Sequence, residues 1–173
     1  ARIVESLAKA AVVKDGRICG VVPKRNPPNY REFYELRHFA PGPRQVRPIR
    51  LLGADVPFGG DMLFVCEDMP EMRVAVEVCE DLWVPEAPSV GHALAGALVI
   101  CNPSASDETV GKDAYRALLL RSQSARLVAA YLYAGAGQGE SSTDMVYAGH
   151  SLIAENGVLL AQSKPYEPGL TFT

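Results

Sequence analysis

"AVEVCEDLWVP", residues 75–85, joins an apolar alternating run to a thiol, two carboxylates and the only tryptophan of the chain. The stretch "RVAVEVC" (73–79) has the period-two alternation of a strand. A strand ending at Cys79 puts a thiol at a strand-to-loop corner, where a side chain is rigidly held and still reachable. Glu80 and Asp81 directly behind it raise a thiol's pKa. An attacking Cys79 therefore needs a cation nearby, or a base that takes its proton. A cysteine packed for bulk needs no such setting, and that plainer role suits Cys19, Cys66 and Cys101.

Outward from this stretch, the pattern alternates strands and helices, with hairpins intruding. "AAVVKDGRICGVV" (10–22) is two apolar runs around Asp15-Gly16, a hairpin signal. Residues 23–43 are rich in proline, aromatics and arginine and read as a shaped loop with one helical turn over 30–37. Strands are expected over 61–67, 73–79, 97–104 and 127–135, and a short helix over 90–97. A longer helix is expected over 111–126, with Tyr115, Leu118, Leu119, Ser122 and Ala125 as its apolar stripe. A second hairpin, over 147–162, turns at Asn156-Gly157. "ARIVESLAKA" at the start reads as a helix. This mixture predicts an α/β fold with mixed sheets.

The 173 residues suffice for one domain with a real core. A net charge of −3 gives no electrostatic case for nucleic acid or an anionic membrane. No apolar run approaches the length of a transmembrane helix. The four cysteines form no CxxC pair and suit reduced thiols in a cytoplasmic protein. His38, His92 and His150 lack metal-ligand spacing, so no metal site is expected. "GAGQGES" (135–141) is not the dinucleotide fingerprint and reads as a flexible turn. Lys24, after a hairpin strand, is the candidate cation for Cys79, although a lone lysine is by default a solvated surface charge.

Read together, "PKRNPPNYREFYELRHF" (23–39) and "VCEDLWVP" (78–85) closely resemble the carbon–nitrogen hydrolase (nitrilase) superfamily. Within it they look most like the glutaminase domains that serve NAD synthetases. "DVPFGGDMLF" (55–64), "PSVGHALAGALVICNPSAS" (88–106), "GKDAYR" (111–116), "QSAR" (123–126) and "AAYLYAGAGQGESSTDMVYAGHSLIAENG" (129–157) carry the same resemblance, in order, over nearly all of 10–164.

The resemblance implies a four-layer α-β-β-α sandwich of two mixed sheets, with residues 1–173 as a partial glutaminase domain, incomplete at its N-terminus. It implies a Glu-Lys-Cys triad in which Cys79 attacks the side-chain amide of L-glutamine and Lys24 stabilises the oxyanion. Glu32 would hold Lys24. Tyr30, Glu80, Ser106 and Lys112 would bind the substrate, Lys112 facing its carboxylate and Glu80 its ammonium; each could equally be an exposed loop residue. Trp83 packs beside the Cys79 loop or walls the pocket. The base, a Glu, belongs many tens of residues before the lysine. Glu5, 19 residues before Lys24 in a helix-like stretch, is not assigned to it. Residues are also expected to be missing between that stretch and the first strand, and Pro27 replaces the family's usual aliphatic residue.

No cofactor is expected in this chain. ATP and magnesium belong to a synthetase domain of the same polypeptide, which would use the ammonia to convert nicotinate adenine dinucleotide to NAD. A homo-oligomer is expected. The alternatives are a free-standing amidase acting on a small amide, and a non-catalytic remnant serving as an interaction module.

Overall fold

In a computed structural model of the chain, residues 7–137, 139–140, 144–167 and 169–173 are described. Glu5 and most of the expected first helix lie outside these residues.

Both hairpins form where the turn residues demand. β1 (Lys9–Lys14) and β2 (Arg17–Pro23) pair antiparallel around Asp15 and Gly16, at φ +51° and +73°. β9 (Leu152–Glu155) and β10 (Val158–Gln162) do so around Asn156 and Gly157, at +46° and +84°. Two positive φ values in a two-residue turn match the right-handed twist of the flanking strands.

Two mixed sheets result. The first adds β3 (Arg47–Leu51) and β4 (Ala54–Phe58) in the order β1-β2-β4-β3, with only β2 and β4 parallel. The second is six-stranded, ordered β10-β9-β8-β7-β6-β5, with β5 (Phe64–Val65), β6 (Arg73–Val76), β7 (Val99–Ser104) and β8 (Ala130–Gly135). Its centre, β6-β7-β8, is parallel and its outer pairings are antiparallel. The sheets meet at Gly20, where an added Cβ would sit 2.9 Å from the Phe64 ring and 3.3 Å from the Met62 methyl. Glycine is what lets β2 approach so closely.

Helix α1 (Pro88–Leu94) and helix α2 (Lys112–Leu127) connect the parallel strands. The larger core cluster centres on Ile100, Leu120, Tyr131 and Leu152; a smaller one gathers Leu7, Val21, Val56 and Phe58 in the first sheet. Among the described residues no helix is long and apolar enough to cross a membrane.

Three expectations change. The strand expected over 73–79 ends at Val76. One more backbone bond follows, Glu77 N–H to Cys101 O, and then side chains replace the ladder: Val78 N–H donates to Asp81 Oδ2 and Cys79 N–H to Asn102 Oδ1. The strand expected over 61–67 shrinks to Phe64–Val65 at a sheet edge. The face of α2 is also different. Tyr115 and Leu118 are 55% and 61% exposed, and Ser122 and Ala125 are exposed too. The buried face is Arg116, Leu120, Gln123 and Ser124. Hydropathy misses it because three of those four are polar and are buried through bonds to specific partners. Arg116 reaches Glu108 and His150, Gln123 donates to Ser89 Oγ, and Ser124 Oγ accepts the Gly157 N–H.

Candidate active site

Cys79 and Lys24 arrive from different sheets. Lys24 follows β2, its N–H bonded to Ala8 O and its carbonyl accepting from Gly42 N–H. Cys79 opens a 3₁₀ turn, Cys79–Leu82, at φ +52°. That left-handed conformation costs a non-glycine residue roughly 1–3 kcal/mol and persists only because its neighbours hold it.

Asp81, 1% exposed, bolts the two loops together. Its Oδ1 accepts from Arg25 N–H (3.2 Å), Asn26 N–H (2.9 Å) and Asn26 Nδ2 (2.8 Å), while Oδ2 accepts from Val78 N–H (3.0 Å). This carboxylate ties the Cys79 turn to backbone 55 residues away. The sequence reading gave it no such structural role.

Lys24 is 2% exposed, and its Nζ lies 2.7 Å from both carboxylate oxygens of Glu35. The carboxylate against Lys24 is thus Glu35 and not the expected Glu32. The reason is the 3₁₀ turn Glu35–Arg37, entered through Glu35 N–H bonding to Pro28 O, which folds position 35 over the lysine. Glu32 instead lines the cavity on the other side of Cys79. A helical turn over 30–37 presents 32 and 35 on one face, so the pair was the signal available.

Burial pushes the Cys79 thiol up from its ordinary range. The positive charge of Lys24 is the largest opposing influence, helped by the Ala105 N–H and the Ser104 hydroxyl. Two cavities are lined in part by Cys79. One, about 550 Å³, is lined by Lys24, Glu35, Cys79, Ser104, Gly135 and Glu140 among others. The other, about 320 Å³, is lined by Cys79 together with Tyr30, Glu80, Ser106, Lys112 and Glu32. All seven residues singled out from the sequence therefore surround one centre.

The smaller cavity is polar at its mouth and aromatic on its walls. Tyr30 OH donates to Glu80 Oε1 at 2.8 Å. Burial and that carboxylate hold the phenol well above its usual range, and burial raises Glu80. Lys112 pairs with the buried Asp107 and lies over the rings of Phe33 (5.8 Å) and Trp83 (5.6 Å). Trp83 is thus a pocket wall, with Tyr115 against it at 5.7 Å. The glycines of 135–141 include close contacts as well as turn: a Cβ at Gly135 would lie 2.7 Å from His150 O. Gln138 and residues 141–143 of that stretch and its continuation lie outside the described residues.

Behind the sulfur runs a buried network that the sequence reading missed. Asn102 Oδ1 accepts from Cys79 N–H (3.0 Å) and Ser104 Oγ (2.8 Å); its Nδ2 donates to Tyr131 OH (3.0 Å) and toward Cys79 O (3.4 Å). Tyr131 OH donates in turn to Glu77 Oε1, and Glu77 Oε2 accepts Ser89 N–H at 2.8 Å. A polar residue inside a buried strand, such as Asn102 in "VICNPS", was the only signal for it.

A buried thiol at a strained corner, a caged lysine on a carboxylate, and two cavities lined by the same cysteine are chemically suited to nucleophilic attack on a carbonyl. The sequence profile of the carbon-nitrogen hydrolase family matches residues 10–173. The chain belongs to the carbon-nitrogen hydrolase family. It is 51% identical over 161 residues to the glutamine-dependent NAD(+) synthetase of Mycobacterium tuberculosis, covering 93% of this chain and 24% of that protein. It superposes on the crystal structure of a glutamine-dependent NAD(+) synthetase from Cytophaga hutchinsonii with a TM-score of 0.79 at 30% identity, over 92% of this chain and 25% of that one. A carbon-nitrogen hydrolase from Helicobacter pylori shares the fold, with a TM-score of 0.65 at 21% identity over 91% of this chain and 52% of that one. The chain spans about a quarter of the length of the synthetases it matches.

Proposed function

We propose that this domain hydrolyses the side-chain amide of L-glutamine and supplies the ammonia to a synthetase domain of the same polypeptide. The observation that carries this reading is Cys79 lying where two cavities meet, Lys24 in one and Tyr30, Glu80, Ser106 and Lys112 in the other.

Glutamine enters the smaller cavity. Lys112 meets its α-carboxylate and Glu80 its ammonium, with Tyr30 and Ser106 completing the polar contacts. The thiol gives its proton to a carboxylate base, and the sulfur attacks the amide carbon. The carbonyl oxygen becomes an oxyanion facing Lys24, whose fixed charge stabilises it in a dry site. The tetrahedral adduct collapses as the nitrogen takes the proton and leaves as ammonia, giving a glutamyl thioester. Water then adds to the thioester, releasing glutamate and restoring the thiol. Glu35 holds Lys24, while Glu32 stands on the substrate side. The base is assigned to a glutamate preceding Lys24 in the family plan; residues 7–23 contain no Glu.

ATP and magnesium act in the synthetase domain, where nicotinate adenine dinucleotide becomes NAD, and no residue of this chain is assigned to them. A homo-oligomer formed through this domain and a cytoplasmic location complete the reading, the latter supported by four unpaired cysteines.

The test is Cys79→Ala in the complete gene product. Glutamate release from glutamine should vanish, and NAD formation from free ammonium should persist. Loss of both together would make Cys79 a folding residue. Preference of the wild type for a small aliphatic amide would favour a free-standing amidase.

A further inference from the structure

The network behind Cys79 has a direction that can be read from its protons. A backbone N–H only donates, so the Asn102 atom facing Cys79 N must be its oxygen. The Asn102 amide nitrogen then faces Tyr131 OH and donates to it. The Tyr131 hydroxyl, already accepting, must send its own hydrogen to Glu77 Oε1. Ser89 N–H, again only a donor, occupies Glu77 Oε2. Both oxygens of Glu77 are therefore acceptors in this arrangement, Oε1 of the Tyr131 hydroxyl and Oε2 of the Ser89 N–H.

All members lie out of solvent: Glu77 is 1% exposed, and Tyr131 and Asn102 are buried alongside. Water cannot stand in for a missing partner there. Were Glu77 unable to accept from Tyr131, the phenolic hydrogen would need Asn102 Oδ1 as its acceptor. The amide would have to turn over, and its NH₂ would then face Cys79 N–H and the Ser104 hydroxyl. The left-handed Cys79 peptide would lose the acceptor that fixes it.

We propose that Glu77 is a positioning residue for the nucleophile: by accepting from Tyr131 it sets the direction of the chain Glu77–Tyr131–Asn102 and so holds the Cys79 peptide in its strained conformation. This rests on Cys79 being the nucleophile, and it assigns a role to a residue that does not touch the substrate. Glu77 stands two places before the thiol on the same run, yet acts on it by way of β8 and β7.

The test uses Glu77→Gln and Tyr131→Phe in the complete gene product. Glutamate release gives kcat and KM, and modification by the diazoketone analogue of glutamine, located by peptide mass spectrometry, reports on Cys79 itself. A Gln at 77 must turn its oxygen to Ser89 N–H and its NH₂ to Tyr131, reversing the chain. Each variant should lower kcat by about 10- to 100-fold with KM within about twofold, and slow the modification of Cys79 by a similar factor. The double variant should lose no more than the worse single one, since both cut one chain. Tyr131→Phe removes a single oxygen and keeps the test open if the Gln variant folds poorly. Folded variants with wild-type kcat would overturn the proposal, as would losses that multiply in the double variant or that merely track the unfolded fraction. A wild type unlabelled at Cys79 would overturn the nucleophile reading and this inference together. A labelled wild type with an unaffected Glu77→Gln would overturn this inference alone.

Discussion

The rear and the front of Cys79 use the same kinds of side chain to opposite ends. Behind it, Glu77, Tyr131 and Asn102 bond to one another and, like Asp81, to groups fixed within the protein. In front, Tyr30 with Glu80 and Lys112 with Asp107 pair across a cavity of about 320 Å³. The rear pairs are final. On the proposed reading, the front pairs hold in place charges that an incoming amino acid takes over, which lowers the ordering penalty of binding. Damage at the rear should therefore appear in stability and turnover, and damage at the front in affinity.

Asp81→Ala is the severest way to break that contrast. It strips the acceptor from Arg25, Asn26 and Val78 N–H groups, at roughly 3–5 kcal/mol in total. Calorimetry should show Tm falling by roughly 10 °C, and glutamate release should fall with it. An unchanged Tm would mean that the two loops are aligned by something else. At the front, Lys112→Ala should raise KM for glutamine by about 10- to 100-fold and leave Tm and kcat nearly alone. If kcat took the loss instead, Lys112 would belong to the chemistry.

A titration separates the two sides further. Burial pushes Glu77 up to about 7, against hydrogen bonds from Tyr131 and Ser89 that favour its ionised form and a repulsion from Asp81 that does not. The folded protein therefore binds this proton more tightly than the unfolded chain. The associated stability is full below the ordinary carboxylate range and is lost as pH rises through about 7. Relative to Glu77→Gln, the wild type should be more stable at pH 5 than at pH 8. A Tm difference that does not move with pH would show that Glu77 does not titrate there. The smallest effect concerns α2: Leu118→Ser on the exposed side should change stability by no more than about 0.5 kcal/mol, whereas Leu120→Ala should cost about 2–5 kcal/mol. The reverse order would restore the stripe expected from hydropathy.

What could be read from the sequence was local. Asp15-Gly16 and Asn156-Gly157 announce their turns because only a few residue types accept two positive φ values in succession. The helix expected over 111–126 forms at Lys112–Leu127, since helix propensity is summed within one segment. Its buried face was not legible, because Arg116 and Gln123 are made apolar in effect by partners distant in sequence. For the same reason Glu32 and Glu35 could not be separated by counting from Lys24; a 3₁₀ turn decides between them. The family resemblance gathered Cys79, Lys24, Tyr30, Glu80, Ser106 and Lys112. The residues that hold them, Asp81, Asn102, Glu77 and Glu35, show their use only when the sheets meet.

The Asp81 bolt also orders events in time. It closes a loop of 55 residues between chains of different sheets, and contacts of such separation form late. A nascent chain with one sheet formed holds either the thiol or the lysine in place, never both. If Cys79 is the nucleophile proposed above, its reactivity is deferred until folding is complete. On refolding, analogue labelling of Cys79 should lag behind the recovery of secondary structure seen by circular dichroism; simultaneous recovery would place the docking of the two sheets earlier than this geometry implies.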